Sequence, residues 1–347
     1  MEIGKFTKQE IFSQPQAWTE ALEILAHLSG DLRGLAKKGY AQVIFTGCGS
    51  TYYLSLAGAA LLQGLAGIPS RGLPASEVWL NPQLNFRKGE RALLVAVSRS
   101  GETTETLRAC ETFRKLGLGD ILTFSCYPGR ALASVGEVNV LLPSGQEESV
   151  AQTRAFSTLY LGTLFLAALW AGQETVIHAL PRLSGACSQM FESYSKVAQE
   201  LGSDLALERF YFLGSAYRYG LACEVSLKMK EMTLSHSEPF HFMEFRHGPM
   251  SMVNPQTLIT GLISQSNRQA ETAVLKDMRK LGGRILAVGS QLEDVAADYK
   301  LEIPLGLDEI SLLPLYLPLI QLMAFHRSLA KGLNPDQPTN LSSVVFL

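Results

Sequence analysis

Ser98-Arg99-Ser100-Gly101-Glu102-Thr103 sets three hydroxyls around one glycine, at the opening of a segment whose helical period runs through Thr104, Leu107 and Phe113. A helix N-terminus offers unpaired N–H groups and partial positive charge, and serine and threonine add neutral donors, so the loop suits a phosphate monoester. No metal is needed for that. An ordinary N-cap needs one such hydroxyl; three in six residues favour an anion site. Earlier, Gly47-Cys48-Gly49-Ser50-Thr51 follows another apolar run. It reads as a tight strand-to-helix turn or as a place where backbone approaches a ligand. A dinucleotide fingerprint fails because Tyr52 stands where the third glycine belongs, and no Walker A loop exists anywhere in the chain.

A second group follows later. Glu224, Lys228 and Glu231 are spaced i, i+4, i+7 and project from one helical stripe, beside an apolar stripe of Val225, Met229 and Met232. A solvated face would share that spacing. The sequel argues for chemistry: His236, Glu238, His241, Glu244, Arg246 and His247 lie within a dozen residues, ending in Gly248-Pro249. Their histidine spacing matches no tight zinc pattern and no thiol is near, so no metal is expected. A carboxylate, an ammonium and a histidine near an anion site can move a proton beside a carbonyl. That is the chemistry of sugar-phosphate isomerisation.

These residues need a scaffold, and the chain reads twice. AQVIFTGCGSTYYLSLA recurs as ERFYFLGSAYRYGLA, LLVAVSRSGETTET as TGLISQSNRQAET, and LGDILTFS as GGRILAVG. Gly47 thereby pairs with Gly214, Ser98 with Ser264, Ser100 with Ser266 and Glu105 with Glu271. The second copy of the hydroxyl loop lacks the glycine and threonine, so one good anion site per chain is expected. Continuous apolar runs at Val43–Thr46, Leu93–Val97, Ile121–Ser125 and Val138–Leu142 alternate with helical segments, which predicts a parallel sheet covered on both faces. The expected architecture is α/β: two tandem three-layer αβα sandwiches of flavodoxin-like type. Boundaries are expected at 1–40 for a helical lead-in, 41–180 and 181–330 for the two domains, and 331–347 for an extended tail.

Composition narrows the class. The 347 residues are 47% hydrophobic and 18% charged, enough apolar material for sizeable cores. A net charge of −2 supplies no footprint for nucleic acid or an anionic bilayer. Five cysteines without CxxC spacing and an N-terminus without signal-peptide organisation suggest the cytosol. The uncharged stretch Ala155–Gln173 reads as a buried core helix rather than a membrane span.

FTGCGSTYY, SRSGETTETL, EESVAQTRAFST, EVSLKMKEMTLSHSE, FRHGPMSMV and DQPTNL, in that order, resemble the sugar isomerase (SIS) domain family. The likeness is to the duplicated isomerase portion of glucosamine-6-phosphate synthase and to stand-alone phosphosugar isomerases and aminosugar-phosphate deaminases. It implies that Gly49, Ser50, Ser98, Arg99, Ser100 and Thr103 hold a sugar phosphate, with Val150 beside the sugar. It also implies Glu231 as the acid/base between C1 and C2, Lys228 near the reacting hydroxyls, and His247 as the ring-opening residue. The expected ligand is a hexose or aminohexose 6-phosphate, without cofactor, in a homodimer that shares its active sites. Two departures stand out. Ser343 falls where the synthase has a tail lysine that forms an imine, and serine cannot form one. Glu2 stands where the synthase's glutaminase cysteine would be, so glutamine-dependent amination is not expected. The alternative is a non-catalytic phosphosugar-binding or regulatory protein.

Overall fold

A computed structural model describes residues 2–342 except Lys88 and Leu305, so Ser343 lies outside the described residues. The chain divides into two compact units. One comprises residues 16–147 and 154–181; the other gathers residues 2–15, 148–153 and 182–341. The helical lead-in is therefore divided. Helix α1 (Lys5–Phe12) belongs to the C-terminal unit, and α2 (Gln14–Ala36) lies almost wholly in the N-terminal one.

The N-terminal unit continues through β1 (Gln42–Gly47), α3 (Ser50–Ala66), β2 (Ser70–Pro74), α4 (Ala75–Leu80), α5 (Pro82–Asn85), β3 (Ala92–Val97), α6 (Thr104–Lys115), β4 (Gly119–Ser125), β5 (Val138–Leu141), α7 (Arg154–Trp170) and α8 (Glu174–Ala179). Its strands are all parallel in the order β2-β1-β3-β4-β5. Every residue of β3 is buried, as expected of a strand covered on both faces. On one face Ile44, Leu94 and Ile121 pack with Val78, Ala109 and Phe113 from α4 and α6. On the other lies α7, whose residues Ala155–Leu169 are all buried. Gly162 permits this contact, because a Cβ there would sit 2.8 Å from the Phe124 ring. Among the described residues no helix is long and apolar enough to cross a membrane.

At the amino end of β4, the Asp120 carboxylate accepts hydrogen bonds from Lys38 Nζ (3.0 Å), Tyr40 Oη (2.8 Å) and Arg91 Nη2 (2.7 Å). Burial pushes its pKa up, but the donors and the charges of Lys38 and Arg91 outweigh that and hold it below the usual carboxylate range. A carboxyl whose pKa is depressed by folding adds stability above its unfolded value of about 4 and loses it as pH falls through the folded value. The expected result is a urea midpoint that falls below about pH 4, with a shallower acid limb in Asp120→Asn. An equally steep limb in that variant would overturn the assignment.

The C-terminal unit runs through α9 (Leu183–Ser203), β6 (Arg209–Leu213), α10 (Tyr219–Thr233), β7 (His236–Phe240), β8 (Thr257–Leu262), α11 (Arg268–Lys280), β9 (Arg284–Gly289), β10 (Tyr299–Glu302) and α12 (Pro318–Ala330). Its parallel sheet has the order β10-β9-β8-β6-β7. Relabelled from its own first strand, that is the order of the other sheet, so the duplication read in the sequence is a duplication of topology. The paired glycines keep one steric task. A Cβ at Gly47 would lie 2.5 Å from Thr51 Oγ1, and one at Gly214 would lie 2.5 Å from the Arg218 carbonyl oxygen. In each sheet the first and third strands leave in opposite lateral directions. Ligands bind at such a switch point, beyond the carboxyl ends of the strands.

Candidate functional site

Two groups of residues stand out, one in each unit: the first at the carboxyl ends of strands in the N-terminal unit, the second along α10 in the C-terminal unit, with Glu231 near the end of that helix. In the N-terminal unit, the loops after neighbouring β1 and β3 flank the switch point. After β1, Gly49 has φ +56° and leads directly into α3 at Ser50, which is buried. Thr51 closes this turn: its Oγ1 accepts from Cys48 N and donates to Cys48 O, both at 2.9 Å. The Cys48 thiol stays protonated, since burial and the neighbouring Glu105 push its pKa up to about 12.

After β3, the hydroxyls converge. Ser98 Oγ lies 3.0 Å from Thr103 Oγ1 and 3.4 Å from Ser100 Oγ. The Gly101 and Glu102 amides donate to Ser98 Oγ and Ser100 Oγ, each at 3.2 Å. This arrangement needs Gly101 in a left-handed conformation, φ +70°, which glycine adopts without steric cost. Thr103 is the N-cap residue of α6, yet its side chain makes no capping bond, so its hydroxyl belongs to the cluster. Three hydroxyls and two amides at one helix start can follow a phosphate's oxygens.

Arg99 has a different setting. Its Nη1 lies 3.1 Å from Glu147 Oε2, with side chains 5% and 0% exposed. Glu147 Oε1 in turn accepts the Ala155 amide at 3.0 Å, and Tyr127 Oη both donates to the Glu147 carbonyl and accepts its amide. A buried guanidinium paired in this way fixes the loop after β3 to the start of α7. Sequence reasoning singled out Arg99 but not Glu147, whose only signal was its place in the EESV motif.

In the C-terminal unit, α10 presents Glu224, Lys228 and Glu231. A solvated stripe is excluded, because Glu224 and Lys228 are wholly buried. Lys228 Nζ lies 3.2 Å from Glu224 Oε1 and is also hydrogen-bonded to Glu231 Oε1, whose side chain remains 14% exposed. Burial works against the ammonium, but the charges of Glu224 and Glu231 outweigh it and raise its pKa. Lys228 is thus charged at neutral pH and engaged by carboxylates on both sides. Only the Glu231 end of the series reaches the surface.

His247 ends the 3₁₀ turn Glu244–Arg246 and is exposed. Among the described residues its ring makes no hydrogen bond, so the structure does not join it to Glu231 within the unit. Its turn is anchored by Arg246, 2.5 Å from Asp277. His241 instead stacks on Tyr219 at 3.8 Å, and burial lowers its pKa. Among the described residues no group of histidines, cysteines and acids could hold a metal.

Val150 lies in the same unit as Glu231, in the segment 148–153. Three remote residues hold that segment. Glu10 of α1 accepts the amides of Glu148 and Ser149 and the Ser149 hydroxyl. The Val150 amide donates to the Asp336 carbonyl at 3.0 Å, and Gln321 Nε2 donates to the Thr153 carbonyl at 3.2 Å. Asp336 also caps α1, its Oδ1 accepting the Thr7 amide and hydroxyl at 2.7 Å. Glu10 and Gln321 carried no local motif and were not recognisable as parts of a site.

A cleft of about 670 Å³ lined by Gln42, Ser70, Arg71 and Asn85 opens instead at the amino ends of β1 and β2. The crevice that open α/β sheets offer to ligands lies at the other end of this sheet.

The SIS domain, as a family, matches residues 35–169 and 207–326. Glutamine–fructose-6-phosphate aminotransferase (isomerizing) of Shewanella oneidensis is 28% identical over 99% of this chain and 59% of its own length. The Pyrococcus horikoshii protein of that name is 27% identical over 98% of this chain and 57% of its own. The chain thus spans less than three fifths, or about that much, of these relatives. Tagatose-6-phosphate ketose/aldose isomerase from Escherichia coli superposes with a TM-score of 0.88 at 23% identity, covering 99% of this chain and 96% of that one, a likeness of fold. Glucosamine-6-phosphate deaminase from Thermotoga maritima superposes with a TM-score of 0.79 at 26% identity, covering 98% and 99%. With both halves matched and both sheets of one topology, this chain belongs to the SIS domain family.

Proposed function

We propose that the chain is an isomerase of hexose or aminohexose 6-phosphates that moves a proton between C1 and C2 through an enediolate or, where C2 carries an amine, an enolamine, whose C2 imine water then hydrolyses to the ketose with release of ammonia. The observation that carries the reading is the series Glu224–Lys228–Glu231, buried at one end and open at Glu231. Glu231 takes the C2 proton of the open-chain aldose as a carboxylate and returns it to C1 as the acid, so no external base or oxidant is needed. Lys228 acts through Glu231, orienting the carboxylate and balancing its charge. It is a positioning residue rather than one that faces the sugar.

The phosphate is assigned to Ser98, Ser100, Thr103 and Ser50 with the helix-start amides of Gly49, Gly101 and Glu102. Phosphate oxygens would take over as acceptors for the amides that now donate to Ser98 and Ser100. Arg99 supports that loop through Glu147. Val150 lines the sugar. His247, exposed and without a hydrogen bond to its ring among the described residues, suits donation to the site of a second copy, which makes a homodimer the working assembly. Five unpaired thiols fit a reducing cytoplasm.

Glucosamine 6-phosphate and a panel of aldohexose and ketohexose 6-phosphates in deuterated water test the reading. The expected result is exchange of the C2 proton of one of them, followed by NMR. Binding of a panel member without exchange would replace it with a phosphosugar sensor.

A further inference from the structure

The second copy of the hydroxyl loop is not empty of charge. It follows β8, at the switch point of the second sheet, where Ser264, Gln265, Ser266 and Asn267 lead into α11. Glu309, from the segment after β10, places its carboxylate there. Glu309 Oε1 accepts from Gln265 N (2.9 Å), Ser266 N (3.4 Å), Ser266 Oγ (3.2 Å) and Arg218 Nη2 (2.9 Å). Two backbone amides, a hydroxyl and a guanidinium around one anionic oxygen are the donors that a phosphate oxygen takes.

Arg218 is built for this place. It is 2% exposed, and its Nε donates to Tyr316 Oη at 3.0 Å, which donates to the Ile263 carbonyl at 2.5 Å. A second carboxyl completes the cluster. Glu271 Oε2 accepts Ser264 N at 2.7 Å and Ser264 Oγ at 3.0 Å. Its Oε1 is buried and has no hydrogen-bond partner among the described residues, in a side chain 1% exposed. Burial raises the Glu271 pKa, and the Glu309 charge adds to the rise.

We infer that the second half keeps an anion site of the phosphate class, closed in cis by the Glu309 carboxylate, and that phosphate enters it when Glu309 is withdrawn. The chain's own side chain thus stands where an ionised phosphate would stand. The site is occupied by a tethered competitor, so an external phosphate sees only the fraction of molecules in which Glu309 has left. This accounts for why the second loop can lack glycine and threonine and yet retain Ser264, Ser266 and a buried arginine. The inference uses residues of the second half alone and does not depend on isomerase activity.

Titration with inorganic phosphate, read from the ¹⁵N–¹H amide signals of Gln265 and Ser266, tests it. Glu309→Ala is expected to show saturable shifts of both amides at a phosphate concentration roughly tenfold or more below that needed in the wild type. Adding Arg218→Met is expected to remove that gain. Glu309→Gln keeps the shape of the segment and serves if Glu309→Ala fails to fold; it is expected to gain affinity by a smaller factor. A folded Glu309→Ala or Glu309→Gln whose two amides do not respond to phosphate more readily than those of the wild type overturns the inference. Shifts confined to residues 98–103 overturn it too, while leaving the proposed isomerase site standing.

Discussion

Glu231→Gln is expected to slow C2-proton exchange by about a hundred- to ten-thousand-fold, the range that a positioned acid/base supplies. Affinity for the sugar phosphate should stay within a few-fold of wild type, because the phosphate donors are untouched. Glutamine keeps the shape and an acceptor oxygen for Lys228, whose ammonium retains Glu224 at 3.2 Å. The variant should therefore remain folded, and its loss should lie in kcat rather than KM. Exchange at wild-type rates in Glu231→Gln would remove the carboxylate from the mechanism. Lys228→Met should instead change the pH profile of kcat, as expected of a group that acts through the carboxylate.

The second large effect is structural. Glu147→Ala removes the carboxylate paired to the Arg99 guanidinium, which is 5% exposed and lies 3.1 Å from it. Removing one member of a buried ion pair costs about 3–5 kcal/mol, because the other charge is left without its partner. A denaturant melt should show that loss, and in the protein that remains folded the affinity for a sugar phosphate should fall, since the loop after β3 loses its anchor to α7. The double variant Arg99→Met with Glu147→Leu should recover much of the stability without the affinity. If Glu147→Ala alone melts like the wild type, the pair is not what fixes the loop.

Much of this architecture was legible because it is periodic. Continuous apolar runs such as β1, β3 and residues 121–125 of β4 read as strands with both faces covered, and the repeated GCGS and GSAY turns placed the duplication. The hydroxyls of Ser98, Ser100 and Thr103 were legible for the same reason: they sit within one turn of each other, and local spacing fixes their proximity. The i, i+4, i+7 series of α10 was visible too, but its burial was not, since spacing on a helix says which residues share a face and not what covers it. Illegible were the long-range partners. Glu10 lies 139 residues from Ser149, and Thr7 lies 329 residues from Asp336. Such pairs leave no local pattern, because either carboxylate alone resembles any surface acid. Arg99 illustrates the middle case: its position in the loop was plain, whereas its engagement by Glu147 depended on where α7 begins.

The division of the chain bears on how it can be cut. Helix α1 and residues 148–153 belong with the C-terminal unit, although residues 16–147 and 154–181 of the other unit separate α1 from it and residues 154–181 separate the short segment from it. A fragment that starts at residue 182 would leave Asp336 without the amides of Phe6 and Thr7 and expose Phe191, whose ring packs tilted against Phe12 at 4.7 Å. The two homologous halves are thus not interchangeable modules. A peptide of residues 1–15 supplied in trans should bind the truncated half as a complementing piece.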